Sequence, residues 1–399
     1  MIRATRTQWI KFAVVLALYL IFLVWLRSWL GLVVVPFIFD AYITKKIPWT
    51  WWRESKNRHV VTVMGWVDAI VFALVAVYFV NLYFFQNYVI PSSSLEKSLL
   101  TGDYLFVSKM SYGPRVPQTP LHMPLAQHTL PFFNCKSYLE HPQWDYKRVK
   151  GLGDVQLNDI VVFNFPAGDT VATGVPNDDV YRLSYGAGKE LAKPVDLASM
   201  SPEQQRVVYD YYYQLGREYL KENPQNFGEI ISRPVDRREN YVKRCVGLPG
   251  QTLEIKDRII YLDGKANKEP DNVQYRYLVK TKRPIPDDLA HELGISKEDM
   301  MMYYTDASVY NMPLTEKAKA GLLARKDIVV SIENTPADDA GGLYPLNMYK
   351  NWTTDNYGPV WIPKKGETVK LTIENLPVYE RPIHVYEGNE LVVKDGKIY

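Results

Sequence analysis

Three apolar runs near the amino terminus constrain this chain more than any other feature. Residues 12–26 are apolar without interruption, Arg27 and Ser28 intervene, residues 29–39 are apolar again, and a further run covers residues 69–85. A single helix through residues 12–39 would be roughly 40 Å long with Arg27 near its middle, more than a bilayer of about 30 Å needs. A short hairpin or re-entrant pair that turns at Arg27 fits better, with residues 69–85 as a separate spanning helix. No small-residue cleavage site comes after the first run, so it reads as an anchor and not as a removable leader.

Basic residues give the orientation. Arg3, Arg6 and Lys11 precede the first run, and Lys45, Lys46, Arg53, Lys56 and Arg58 lie between the second and third. Both flanks therefore read as cytoplasmic, and an even number of crossings separates them. The helix over residues 69–85 then runs outward and delivers everything beyond Tyr88 to the far side. Asp68 at its cytoplasmic edge reads as a carboxylate reaching for water, not as a proton relay. The anchor is thus set at residues 1–88, with a basic cytoplasmic loop at about 44–60.

The remainder of the 399-residue chain, beyond the anchor, is long enough for one or two folded domains. A net charge of +3 with no block of like charge gives no electrostatic footprint for nucleic acid. Aromatic residues make up 13% of the chain, a bias shared by membrane interfaces and by strand-rich domains that bind extended peptides. The two cysteines, Cys135 and Cys245, fit no metal or CxxC spacing, and so few cysteines argue against a disulfide framework. The six histidines show neither HExxH nor clustered spacing, and His122 and His128, in a Pro-rich loop, read as surface residues.

Two segments carry chemistry. Directly after the outward helix comes Pro91-Ser92-Ser93-Ser94-Leu95-Glu96-Lys97-Ser98-Leu99-Leu100, then a Gly102-Asp103 turn and a strand over residues 104–107. Much later, residues 241–246 form a strand ended by Gly247 and the Pro249-Gly250 turn. On it, Lys243 shares a face with Tyr241 and Cys245, whereas Arg244 shares the other with Val242 and Val246. In isolation a triple serine is a polar loop and a strand lysine is a solvated side chain. Between them lies a third segment, Asn158-Asp159-Ile160-Val161-Val162-Phe163-Asn164-Phe165-Pro166.

In this order, behind an outward helix, the three segments resemble the bacterial type I signal peptidases. The resemblance implies a mainly β (α+β) extracytoplasmic catalytic domain with N-terminal transmembrane helices and helix-containing insertions. It implies Ser94 as nucleophile, Lys243 as general base, and an oxyanion hole made by the Ser92 hydroxyl and the Ser94 backbone N–H. Leu95 stands where Met is usual and keeps its apolar bulk; Ser93 stands where many members have Gly and costs the loop some backbone freedom. The residue types suit the chemistry: a serine hydroxyl needs an adjacent base. A lysine can act as one only if apolar surroundings favour its neutral amine. No metal or organic cofactor is called for. The implied substrates are the signal peptides of exported preproteins, bound as an added strand and cut after a small-x-small site next to the membrane. Membrane lipid and the secretion machinery are further implied partners, and the bacterial cytoplasmic (inner) membrane is the implied location. Tyr104 and Phe106, near the site, read as core residues, with a place at the lipid interface as the alternative.

The catalytic core is expected over residues 89–168 and 236–279, with insertions at 169–235 and 280–382. Ser201-Pro202-Glu203-Gln204 predicts a capped helix over residues 202–222, whose Tyr209, Tyr211, Tyr212 and Tyr213 are expected to pack on the catalytic domain, with binding of a partner as the alternative. In the second insertion a helix is expected at 316–325, with strands at 369–371 and 383–386. The family's last box, a Gly-Asp-Asn-Arg run with Ser, Asp and Arg after it that orients the lysine, does not occur. Residues 383–399 read as the start of a hairpin turning at Asp395-Gly396 and cut off within a strand. Little or no turnover is therefore expected of these residues alone, and a noncatalytic membrane-anchored relative that only binds peptides or proteins stands as the alternative.

Overall fold

The computed structural model describes residues 4–399 except 134, 166–169, 177, 303, 307, 338–342 and 347–351. The chain forms two compact units, one of Met1–Ile90, Gly102–Val155 and Pro234–Asn240, the other of Pro91–Thr101, Gln156–Arg233 and Tyr241–Tyr399.

The first unit begins with helix Arg6–Leu26, whose free N–H groups are met by a reciprocal cap between Thr5 and Gln8. It stops at Arg27, which turns into the left-handed region at φ 52° and gives its N–H to the carbonyls of Leu23 and Val24. The chain then doubles back through Leu30–Thr44. The Tyr19 hydroxyl donates to the Gly31 carbonyl at 2.7 Å, and the Phe39 ring meets Phe12 and Trp9 edge-on at 5.4 and 6.3 Å. The turn expected at Arg27 is present. The Asp40 carboxylate closes the far end, taking the N–H groups of Lys46 and Ile47, the Trp49 indole and the Thr44 hydroxyl.

Helix Arg58–Tyr83 comes next, capped by the Asn57 side chain. It starts well before the apolar run because the cap at Asn57, not hydrophobicity, sets its first turn. This helix and Arg6–Leu26 are both long and apolar enough to cross a membrane, and none of the most apolar stretch of Arg58–Tyr83 is buried. Asp68 is exposed beside Arg53, 3.7 Å away.

The helix runs into an antiparallel hairpin, Phe85–Val89 with Tyr104–Ser108, in which Phe85 faces Ser108 and Val89 faces Tyr104. The core reading of Tyr104 and Phe106 is wrong: they are 85% and 69% exposed, because their face of the two-stranded hairpin has no covering layer. Phe106 stacks on Phe85. The surface reading of His122 and His128 also fails. Both are half-buried; His122 Nδ1 lies 3.0 Å from the Thr119 carbonyl oxygen with its ring against Tyr78, and burial holds its pKa below the usual histidine value. The Pro-rich loop around them is pinned from inside by Asp236, which accepts from the Thr119 N–H and hydroxyl, and by Arg237, which donates to Thr119.

In the second unit, the first insertion is a helical hairpin closed at its base by strands Thr170–Ala172 and Ile230–Ser232. Helix Pro202–Glu222 occurs with the cap expected at Ser201. It packs on a second helix, Val180–Leu191, that the sequence did not announce. The pair is so close that a Cβ at Gly188 would fall 1.8 Å from the Tyr212 carbonyl oxygen, and one at Gly216 1.8 Å from that of Ser184. Tyr209 and Tyr213 pack on Tyr185 and Tyr212 is buried, whereas Tyr211 is exposed.

The second insertion has its own core. Strand Gln274–Thr281 lies between Val309–Thr315 and Val329–Asn334 in a four-stranded antiparallel sheet, backed by short helices and Glu316–Ala324. Its buried face and the helices share one apolar cluster that includes Val279, Met312, Leu314 and Leu322. A second sheet joins Thr252–Lys256, Ile259–Leu262, Lys265–Ala266 and Tyr357–Trp361. The turn at Asp395-Gly396 forms as expected, with both residues left-handed between Val393–Lys394 and Lys397–Ile398.

The strands expected at 369–371 and 383–386 are absent. Asn375 takes up the backbone near the first, accepting from the Thr372 N–H and donating to the Lys370 carbonyl. Residues 383–386 continue the helix Leu376–Arg381 as a wider turn that includes Pro382, because this stretch docks on the helical hairpin. Arg381 forks onto Asp179 at 2.8 and 2.9 Å and lies over the Tyr181 ring, and Glu380 makes a bidentate pair with Arg206.

Candidate active site

Residues 91–101, which join strands Phe85–Val89 and Tyr104–Ser108, carry the serines and belong to the second unit. After extended Ser92, a single tight turn spans Ser93–Leu95. The N–H groups of Ser98 and Leu99 return to the Leu95 carbonyl at 3.0 and 2.8 Å, and the Leu95 side chain is buried. An apolar anchor at 95 therefore fixes the turn, as expected of a Met replacement. Ser93 costs nothing after all, since it is not among the left-handed residues; that conformation falls on Lys97, at φ 68°.

Strand Asn240–Arg244 pairs with Ile160–Asn164, and Tyr241 stacks on Phe165 at 4.7 Å. Cys245 extends the ladder: its carbonyl accepts from the Asn158 N–H at 2.7 Å and its N–H donates to Asp159 at 2.8 Å. These bonds present Lys243 to the serine turn. Its Nζ donates to Ser94 Oγ at 2.6 Å, and Ser92 Oγ stands 3.4 Å from Ser94 Oγ. All three residues expected from the sequence are brought together. The enclosure expected of the lysine is incomplete: Lys243 is half-buried and Ser94 exposed, because the strand is covered on one edge only. Among the described residues Ser94 Oγ is the one hydrogen-bond partner of Lys243 Nζ.

The sequence reading missed Arg244. Strand parity sent it away from Lys243, yet its long side chain reaches the same segment, donating to Ser98 Oγ and to the Asn158 carbonyl, both at 2.9 Å. It ties the far end of the serine turn to the strand that carries Lys243. The adjacent Lys-Arg pair was the available signal. No group of three or more His, Cys, Asp or Glu that could hold a metal ion occurs among the described residues, and both cysteines are free.

A sequence model of the family described as signal peptidase, peptidase S26, matches residues 63–299. The chain belongs to this family. The matched span contains Ser92, Ser94 and Lys243. Signal peptidase I of Helicobacter pylori is 42% identical over 56 residues, 14% of this chain and 18% of that protein. Signal peptidase I P of Bacillus subtilis subsp. natto is 20% identical over 279 residues, 69% of this chain and 90% of the relative. Signal peptidase I of Rickettsia prowazekii is 25% identical over 165 residues, 38% of this chain and 56% of the relative. The chain thus spans less than a fifth of the Helicobacter protein it matches and most of the Bacillus one. No solved structure matches it.

Proposed function

We propose that this chain is a membrane-anchored serine endopeptidase that removes signal peptides from exported preproteins through a Ser94/Lys243 dyad. The observation that carries the reading is the 2.6 Å contact between Lys243 Nζ and Ser94 Oγ inside the S26 match.

In its neutral form the Lys243 amine takes the Ser94 proton as Oγ attacks the scissile carbonyl. The Ser94 N–H and the Ser92 hydroxyl supply the donors for the oxyanion, each worth on the order of 3 kcal/mol in the transition state. Collapse of the tetrahedral state expels the amine of the mature protein, protonated by Lys243, and leaves the signal peptide acylated on Ser94. Water, deprotonated by the same lysine, then releases it. Arg244 acts through the turn, holding Ser98 so that Ser94 stays in reach of the base.

The surroundings suit such a substrate. Ser94 lies soon after Arg58–Tyr83, a helix long and apolar enough to span, so the nucleophile is tethered close to the bilayer where a small-x-small site would emerge. Basic residues on both flanks of the first helical pair favour a cytoplasmic side for them and an extracytoplasmic site in the bacterial inner membrane. The exposed Tyr104 and Phe106 are amphipathic and apolar rings of the type that settle at a lipid interface. Membrane lipid and the secretion machinery are the partners this placement implies.

The test is cleavage of a preprotein by the full chain in detergent. Slow cutting after a small-x-small site is expected, with loss of the activity in Ser94→Ala and in Lys243→Ala; a variant that cuts as well as the parent removes the assigned role.

A further inference from the structure

The second insertion reaches the serine. A cavity of about 340 Å³ is lined by Ser94 and Arg244, by Gln274 and Arg276 of the strand that leads into the insertion, and by Asp299 and Pro313 of the insertion itself. No part of the minimal dyad chemistry needs the insertion's wall.

Asp299 is its unusual member. The residue is only 8% exposed, and its Oδ2 is buried with no hydrogen-bond partner among the described residues. Its backbone is satisfied by the Ser296 hydroxyl at 3.0 Å, so the side chain is not spent on capping its own helix. An unpaired buried carboxylate is destabilising, and a fold keeps one most readily where a ligand completes it. The cavity's own cations do not bond Oδ2 among the described residues, and Arg244 is engaged by Ser98 and Asn158. Glu96, the cavity's other acid, has Lys97 beside it at 3.8 Å.

The wall around Asp299 also includes Pro270, Val273 and Pro313. An apolar surface with a buried carboxylate suits a side chain with an aliphatic stem and a cationic end. The geometry points to Asp299 as a specificity-determining residue that receives a lysine or arginine of the peptide bound across Ser94, an inference that rests on the peptidase reading above.

Peptide binding tests it independently of turnover. The full chain carrying Ser94→Ala is titrated in detergent with fluorescent small-x-small peptides in which Lys, Gln or Glu is placed in turn at each position flanking the cut. At one position Lys should bind about tenfold tighter than Gln, and Glu more weakly than either. Adding Asp299→Asn should bring the Lys-to-Gln ratio close to one, with thermal melting to show that the variant is folded. The inference is overturned if no position favours Lys, or if the preference survives Asp299→Asn. Cleavage by the parent chain separates the two ideas. Lys preference without cleavage keeps the inference and removes the peptidase reading, cleavage without preference does the reverse, and failure to bind any peptide overturns both.

Discussion

The strand that carries Lys243 and the strand Gln274–Thr281 lie in the same unit and are built on opposite terms. The first is half-buried at all five positions and has one partner strand. The second is paired on both edges and alternates, with Tyr277, Val279 and Thr281 turned into a shared core. One is held by a few side-chain bonds from Arg244 and Lys243, the other by packing. The difference separates two kinds of support: the candidate site sits on a half-exposed strand, and the four-stranded sheet in the same unit rests on a packed core.

That division can be broken most visibly at the inserted core. Leu322, fully buried against the sheet, should cost about 3–4 kcal/mol of stability as Leu322→Ala, read as a fall in denaturation midpoint. A fall no larger than that of a surface change would mean that the inserted sheet does not carry the unit.

A smaller effect is expected where the two insertions meet. Arg381→Ala removes a bidentate pair with Asp179, which also caps helix Val180–Leu191, and a guanidinium packed over Tyr181 at 4.1 Å. Both partners are mostly shielded from water, so about 2–3 kcal/mol should be lost. Arg381→Lys should recover only part of it, because an ammonium cannot fork across both carboxylate oxygens.

The smallest effect lies in the first unit and sharpens what burial means for a lysine. Lys109 has its pKa pushed down to about 8, by burial first and then by Arg115 and Arg148. Below pH 8 the folded chain carries a charge it disfavours. Between about 8 and the ordinary lysine value of 10.5 the unfolded chain holds a proton the folded one has released, so stability should rise with pH through that window and level off above it. Allowing for the solvent that still reaches the side chain, the gain is about 1–2 kcal/mol. Thermal melts across this range should show the rise and Lys109→Met should flatten it; a rise that persists in the variant assigns it to another group. Lys109 thus has the desolvation that Lys243 was expected to show, in a place with no assigned nucleophile. Burial alone does not pick out a candidate base; Lys243 is distinguished by its contact with Ser94.

Much of the site was legible because it is written in short-range signals. The Gly102-Asp103 turn, the strand ended by Gly247 and the order of the segments carry the family resemblance, and it is the resemblance that names Ser92, Ser94 and Lys243. The capped start at Ser201-Pro202 and the turn at Asp395-Gly396 were legible for the same reason. Helix Val180–Leu191 was not, since Gly186 and Gly188 weaken its helical signal, and Gly188 is present to let another helix approach. Residues 383–386 carry branched and aromatic side chains typical of a strand, yet docking on the helical hairpin overrides that preference. Tyr104 and Phe106 look like core from their composition; only the absence of a layer over their hairpin face shows otherwise. Asp299 has no sequence signature at all, because an unpaired carboxylate is a property of its surroundings.

The central claim is that Ser94 and Lys243 act as one unit, and the most direct measurement is the rate of preprotein cleavage by the full chain and its Lys243→Ala variant, with cut sites read by mass spectrometry. The Ser–Lys pairing predicts that the parent cuts after a small-x-small site, however slowly, and that Lys243→Ala loses on the order of 10³-fold or more in rate while melting within a few degrees of the parent. Cleavage at the same site and the same rate by the variant would contradict it.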